Sequence, residues 1–168
     1  MTVEIRIAPS LDASEIERLA DLLVSVVDAG ASVGYLPPID AGVARHYWQS
    51  VCKPDVVLFL AEVGGEIAGT VQLELASKAN ARHRAEVNRL LVHPSFRRRG
   101  IGRLLMEVLE REARTLGRTL LHLDTREGDP SNDFYRSQGW TEAGTIPLWA
   151  ESATGSLDGT VFYYKVLG

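Results

Sequence analysis

The chain has 168 residues, 45% of them hydrophobic and 24% charged, which fits one globular domain able to bury a sizeable core. Its formal net charge of −4 argues against a nucleic-acid-binding surface, since such domains are usually basic, and is compatible with a cationic partner. The single cysteine, Cys52, excludes an intramolecular disulfide, so no oxidising compartment is required.

In chain order, the first residues carry Glu4 and Arg6 and no apolar core, so they do not read as a signal peptide. Val3, Ile5 and Ile7 alternate with polar residues, which predicts an opening strand. Ser14-Glu15-Ile16-Glu17 reads as a capping box, and Ile16, Leu19, Ala20, Leu23, Val26 and Val27 follow helical spacing after it. Gly30 to Pro38 is punctuated by Gly and Pro and must be irregular, and Asp40 can cap a second helix to about Cys52. Val56–Val63 and Ile67–Leu75 are apolar, β-branched runs joined by Gly64-Gly65, a hairpin signal. The longest apolar stretch, Val56–Ala61, is far too short to span a bilayer, so no membrane partner is expected and cytoplasm is the default compartment.

Ser77–Arg84 reads as a loop and Ala85–Val92 as a strand ending at His93-Pro94. After Gly100, the residues Ile101, Leu104, Leu105, Val108, Leu109, Ala113 and Leu116 predict an amphipathic helix that Gly117 ends. Leu120–Thr125 is the next strand, and Ser131 can cap a short helix to Ser137. Thr141–Gly144 and Thr160–Val166 are the last strands, with a Pro/Gly-containing excursion between them. This order predicts an α/β (α+β) layer fold with a mixed sheet.

The chemistry is carried first by Arg97-Arg98-Arg99-Gly100-Ile101-Gly102-Arg103, between an apolar strand and an amphipathic helix. A helix N-terminus offers unpaired N–H groups and a partial positive charge, which suit a phosphate. Two glycines let the backbone come close, and four arginines add contacts to phosphate oxygens. The pattern is neither a P-loop nor a dinucleotide fingerprint, so the phosphates belong to another carrier. A solvated basic turn is the alternative reading.

Val92-His93-Pro94 followed by Arg97-x-x-Gly100-x-Gly102 resembles the acetyl-CoA signature of the GNAT N-acetyltransferase superfamily, and the element order matches it across nearly the whole chain. A narrower resemblance, to the tabtoxin-resistance acetyltransferase and its relatives, rests on five stretches. They are Gly30-Ala31-Ser32-Val33-Gly34, Arg84-Ala85-Glu86-Val87, Leu121-His122-Leu123-Asp124-Thr125, Phe134-Tyr135 and Lys165-Val166-Leu167-Gly168. The resemblance implies one N-acetyltransferase domain over residues 1–168. Its sheet would be mixed, mostly antiparallel, of about seven strands flanked by about four helices. It also implies acetyl-CoA as co-substrate, with the pantetheine arm pairing with Leu90, Leu91 and Val92 where the fourth strand carries a bulge and parts from the fifth. The pyrophosphate would rest on the amides of Arg98, Arg99, Gly100, Ile101, Gly102 and Arg103, with Arg97 opening the motif. Asn132 matches a position that often bonds pantetheine, and local helix capping competes with that role.

An amine must lose a proton before it attacks a thioester, so the site needs a base, directly or through water. A strand N–H, here that of Leu91, suits polarisation of the carbonyl. Glu86 is the leading base: it lies inside an apolar strand, alternation points it the same way as Asn88, and the narrower resemblance places a catalytic carboxylate there. A salt bridge to Arg84 or Arg89 is its alternative use. Asp124, at a strand end, could share a water with Glu86, bind an ammonium, or bond the following loop. Tyr135 fits the tyrosine that the superfamily aims at the CoA sulfur, and can give its proton to the departing thiolate; core packing is the alternative. His46, His83, His93 and His122 show no metal-ligand spacing, and no metal is indicated.

The expected activity is N-acetylation of a small-molecule amine, amino-acid-like or antibiotic-like. A peptide or protein N-terminus is the nearest rival acceptor, and a CoA-binding sensor without turnover is the rival from another class. Oligomeric state is open, a homodimer being the commonest soluble assembly.

Overall fold

In the computed structural model, which describes residues 1–168, each element forms where its local chemistry starts and stops it. The order is β1 (Glu4–Ile7), α1 (Ala13–Asp28), α2 (Ala41–Gln49), β2 (Val56–Val63) and β3 (Glu66–Leu75). Then come β4 (Arg84–Val92), a 3-10 turn (Pro94–Phe96), α3 (Ile101–Thr115), β5 (Leu120–Arg126), α4 (Ser131–Ser137), β6 (Thr141–Glu151) and β7 (Leu157–Val166). No helix is long and apolar enough to cross a membrane.

The α1 capping box is real but sits two residues earlier than the sequence suggests. Asp12 accepts from the Glu15 amide at 2.8 Å, and Glu15 accepts from the Asp12 amide at 2.8 Å, leaving Ser14 in the first turn. Asp40 caps α2 as expected, accepting from Gly42 and Val43. Ser131 does not cap α4: it is the first helical residue, and its hydroxyl meets that of Thr125 at 2.6 Å. The final strands run longer than their sequence signals, closing as a hairpin over Ser152–Ser156. Pro147 lies inside β6, where the ladder to β7 slips between Ile146 and Ala150. Since β6 is the sheet edge, the missing N–H is tolerated.

The seven strands form one sheet in the order β1-β2-β3-β4-β5-β7-β6, antiparallel throughout except for β4 and β5. α3 and α4 cover one face over a core that includes Phe59, Leu73, Leu105, Leu109 and Tyr163. α1 and α2 cover the other face beside β1 to β4, around Leu19, Leu23, Trp48 and Leu58.

One irregularity shapes everything that follows. Thr70 pairs with Leu91 and Gln72 with Asn88, so Arg89 and Leu90 together oppose Val71, a bulge with Arg89 at φ 54°. The extra residue reverses the alternation. Ala85 and Val87 pack on the α3 side, whereas Leu91 packs on the α1 side. β4 pairs with β5 only over Arg84–Glu86, against Leu120–His122, and the two strands then part.

Candidate active site

The parting of β4 from β5 opens a cavity of about 370 Å³, walled by the segment Ala31–Gly34, by Val87–Leu90 and by Asp124–Arg126. Tyr135 lies on the same wall, and Trp149, held edge-on to Phe162 at 5.6 Å, closes the far side.

The turn before α3 follows the end of β4, past the point where that strand has left β5, and lies against Val92. None of the six backbone amides from Arg98 to Arg103 has a hydrogen-bond partner within the chain. The first amide satisfied is that of Leu104, by the Gly100 carbonyl at 3.0 Å. Arg98 (φ 60°) and Gly100 (φ 78°) are both left-handed, so the chain curls the amides toward a common side before the helix begins. Arg97, Arg98 and Arg99 are exposed; Arg97 Nε also donates to the Val92 carbonyl at 3.3 Å, and Arg103 pairs with Glu107 at 3.0 Å. The Gly102 Cα faces Phe134 and Val92, and a Cβ there would stand 3.7 and 3.8 Å from them.

The register also decides which β4 amides face the opening. The His93 amide donates to the Ala68 carbonyl at 2.9 Å, and Leu91 pairs with Thr70 in the same ladder. Leu91 therefore turns its N–H and C=O toward β3, and its carbonyl lies against Gly69. Alternation sends the peptide groups of Leu90 and Val92 the other way, consistent with the Val92 carbonyl accepting from Arg97. The Leu91 N–H, expected to polarise a substrate carbonyl, thus points into the β3 ladder, and the peptide groups of its neighbours face the opening.

Glu86 is half-buried and lies opposite Glu74 on β3 and beside His122 on β5. It forms no ion pair with Arg84 or Arg89. Burial raises its pKa above the ordinary carboxylate value, and the negative charges of Glu74 and Asp124 push it further the same way. Asp124 is exposed on the cavity wall, and its carboxylate lies 2.8 Å from the Thr160 hydroxyl rather than bonding its own loop. Glu86 is not on that wall: it stands two residues upstream of Asn88, on the same side of the strand. Burial lowers the His122 pKa, with Arg84 adding and Asp124 opposing, so at neutral pH the ring is uncharged.

Tyr135 is 7% exposed, wedged among Phe134, Trp140 and Tyr163. Burial, with a smaller contribution from Asp124, pushes its phenol well above the ordinary value, so it stays protonated. Its hydroxyl makes no bond within the chain, although the ring does pack in the core.

Asn132 is buried, and its side chain is spent on the loop before α4. It donates to the Arg126 and Asp129 carbonyls, both at 2.9 Å, and accepts from the Tyr163 hydroxyl at 2.8 Å. Both amide donors are used, which matches the local role that competes with a pantetheine contact. The sequence does not single out Glu74 or Thr160, and points to Arg89 only as an ion-pair partner for Glu86. A signal existed for Glu74, a charge at the end of an apolar strand; the site roles of the other two become visible only through the bulge and the β5–β7 pairing.

The model of the acetyltransferase (GNAT) family matches residues 31–140. An uncharacterized N-acetyltransferase from the hisH–hisA intergenic region of Azospirillum brasilense is 31% identical over 137 residues, covering 80% of this chain and 82% of that protein. Among solved structures, the ribosomal-protein-alanine N-acetyltransferase from Brucella melitensis superposes with a TM-score of 0.82 at 23% identity, over 98% of this chain and 99% of its own. A Salmonella typhimurium protein solved with its cofactor acetyl-CoA gives 0.81 at 19% identity, over 100% and 95%. At these identities the structural matches establish a shared fold.

Proposed function

The chain belongs to the acetyltransferase (GNAT) family, and from that membership we propose that it moves the acetyl group of acetyl-CoA onto the amine of a small molecule. One observation carries the reading: six consecutive unpaired amides at the start of α3, flanked by exposed arginines, beside an unpaired strand edge. That set fits a diphosphate followed by an amide-bearing arm. Arg98 to Arg103 would hold the diphosphate, and the outward peptide groups of Leu90 and Val92 would pair with the arm.

When bound, the co-substrate supplies an activated thioester. The chain supplies the rest. Asp124, on the cavity wall, orients a cationic amine by its charge. Glu86 accepts the proton through an intervening water, because it stands behind Asn88 rather than on the wall, and its raised pKa makes it a more effective base than an ordinary carboxylate. A cleft-facing strand N–H, from Leu90 or Val92, polarises the carbonyl. Tyr135, protonated and without an internal partner, gives a proton to the leaving sulfur. The likeness of Arg84–Val87, Leu121–Thr125 and Phe134-Tyr135 to the tabtoxin-resistance acetyltransferase supports a compact, amino-acid-like or toxin-like acceptor.

The test is release of free thiol from acetyl-CoA by the purified protein across a panel of amines. Turnover of one or more small amines is expected. Failure to take up CoA or its acyl derivatives by calorimetry would overturn the reading.

A further inference from the structure

We infer that Arg89 is an acceptor-recognition residue, selecting amines that also carry a carboxylate. The inference rests on the acetyltransferase reading above and adds the substrate class. Arg89 occupies the β4 bulge and lines the cavity. Tyr35 and Tyr47 stand against its guanidinium, with ring centroids 5.6 and 5.2 Å from Cζ. The two rings, 6.2 Å apart and inclined at 76° to each other, flank the guanidinium from one side and leave its remaining N–H groups for a ligand.

The edge is incompletely used. Nε donates to the Tyr47 hydroxyl at 3.3 Å, itself fixed by Gln72 at 2.6 Å, and Nη1 donates to the Val33 carbonyl. A guanidinium has five N–H groups, so three remain, one on Nη1 and two on Nη2. No carboxylate of the chain lies within salt-bridge distance of Arg89. The other cation on the wall is committed: Arg126 holds Asp129 at 2.9 Å and lies 4.0 Å from Asp158. Gly34 leaves the Arg89 edge uncovered, since a Cβ there would stand 3.3 and 3.4 Å from Nη1 and Nη2.

The cavity thus offers one uncompensated cation at the Ala31–Gly34 side and an uncompensated carboxylate, Asp124, at the β5 side. A zwitterion complements both: its ammonium meets Asp124 and its carboxylate takes the free Nη1–Nη2 edge of Arg89 in a two-pronged contact. An amine without an acid group would leave the guanidinium desolvated and unpaired.

The experiment compares kcat/KM for amino acids and their decarboxylated amines, such as phenylalanine with phenethylamine and methionine with 3-(methylthio)propylamine. The wild type should favour the carboxylated member at least tenfold, and Arg89→Met should reduce that ratio by about ten- to a hundredfold. Arg89→Lys, which keeps the charge and loses the fork, should fall between. A purely structural role would slow both members of a pair alike and leave the ratio unchanged, which would overturn the inference. So would a wild-type preference for the decarboxylated member, or silence on every amino acid by a protein that binds acetyl-CoA in calorimetry. Loss of acetyl-CoA binding itself would instead strike the parent reading.

Discussion

Glu86 stands directly across from Glu74 in the antiparallel register of β3 and β4, so two carboxylates face the same side of the sheet. The Asn88 amide bonds Glu74 at 3.1 Å, but nothing in the chain neutralises either charge. Burial and this neighbour together hold the Glu86 pKa up. A base must be ionised to work, so the rate should fall as pH drops through that raised value. Glu74→Gln removes one like charge and should move the acid limb of the kcat/KM profile to lower pH. An unmoved limb would detach the two residues.

The same shift has a stability consequence of opposite sign. Because the folded state holds the Glu86 proton more tightly than the unfolded chain, stability declines as pH rises from the ordinary carboxylate value to the raised one, and stays reduced above it. Glu86→Gln should therefore melt no lower than the wild type at neutral pH while slowing turnover about a hundred- to ten-thousandfold. Circular dichroism melts and steady-state rates on one preparation check both halves.

Much of the fold is legible locally, because caps, glycines and alternation act over a few residues. Asp40, Gly64-Gly65, Gly100 and Gly117 mark their boundaries directly. β6 is not legible, since its pairing with β7 comes from a hairpin closed across Ser152–Ser156, and Pro147 argues against a strand until its place at the sheet edge is known. Only the family resemblance implies the bulge, and nothing local in Ala85–Val92 announces it: Arg89 has no turn chemistry, and its left-handed backbone goes with fitting Arg89 and Leu90 together opposite Val71. For the site, the arginine-glycine turn speaks for itself, whereas Glu86, Asp124 and Tyr135 stand out chiefly through family resemblance. Their placement, Asp124 and Tyr135 on the cavity wall and Glu86 behind Asn88, depends on where β4 leaves β5, which no local pattern encodes.

Tyr135→Phe should separate chemistry from packing. The ring contacts with Phe134, Trp140 and Tyr163 survive, and no internal hydrogen bond is lost, so the melting temperature should hold. Turnover should drop about a hundredfold or more if the phenol protonates the leaving sulfur. The wild type should also show no alkaline limb from this residue below its raised pKa. An unimpaired Phe variant would return Tyr135 to the core.

Asn132→Ala tests the opposite assignment. It leaves the buried Tyr163 hydroxyl without its partner, at about 1–3 kcal/mol before relaxation, and removes the side-chain ties to the Arg126 and Asp129 carbonyls, which keep the Asp129 and Asn132 backbone amides as donors. A clear loss in urea-denaturation midpoint should accompany any loss of activity. A variant of native stability but weakened acetyl-CoA binding would reinstate the pantetheine contact.

The two glycines of the phosphate turn should respond in opposite directions. Gly100 is left-handed with open space around its Cα, so Gly100→Ala meets no clash but takes on the strain of an L-residue there, about 1–2 kcal/mol. It should lower stability and weaken acetyl-CoA binding together. Gly102 lies within the first turn of α3, where a Cβ finds only ordinary contacts, and alanine there is worth up to about 1 kcal/mol in helix propensity. Gly102→Ala should therefore be as stable as the wild type or more so, yet its methyl stands beside the amides proposed to grip the diphosphate. Weaker acetyl-CoA binding by a sturdier protein is the expected result, read by calorimetry beside thermal melts. Unchanged affinity would mean that the ligand does not approach this turn as closely as the bare amides suggest.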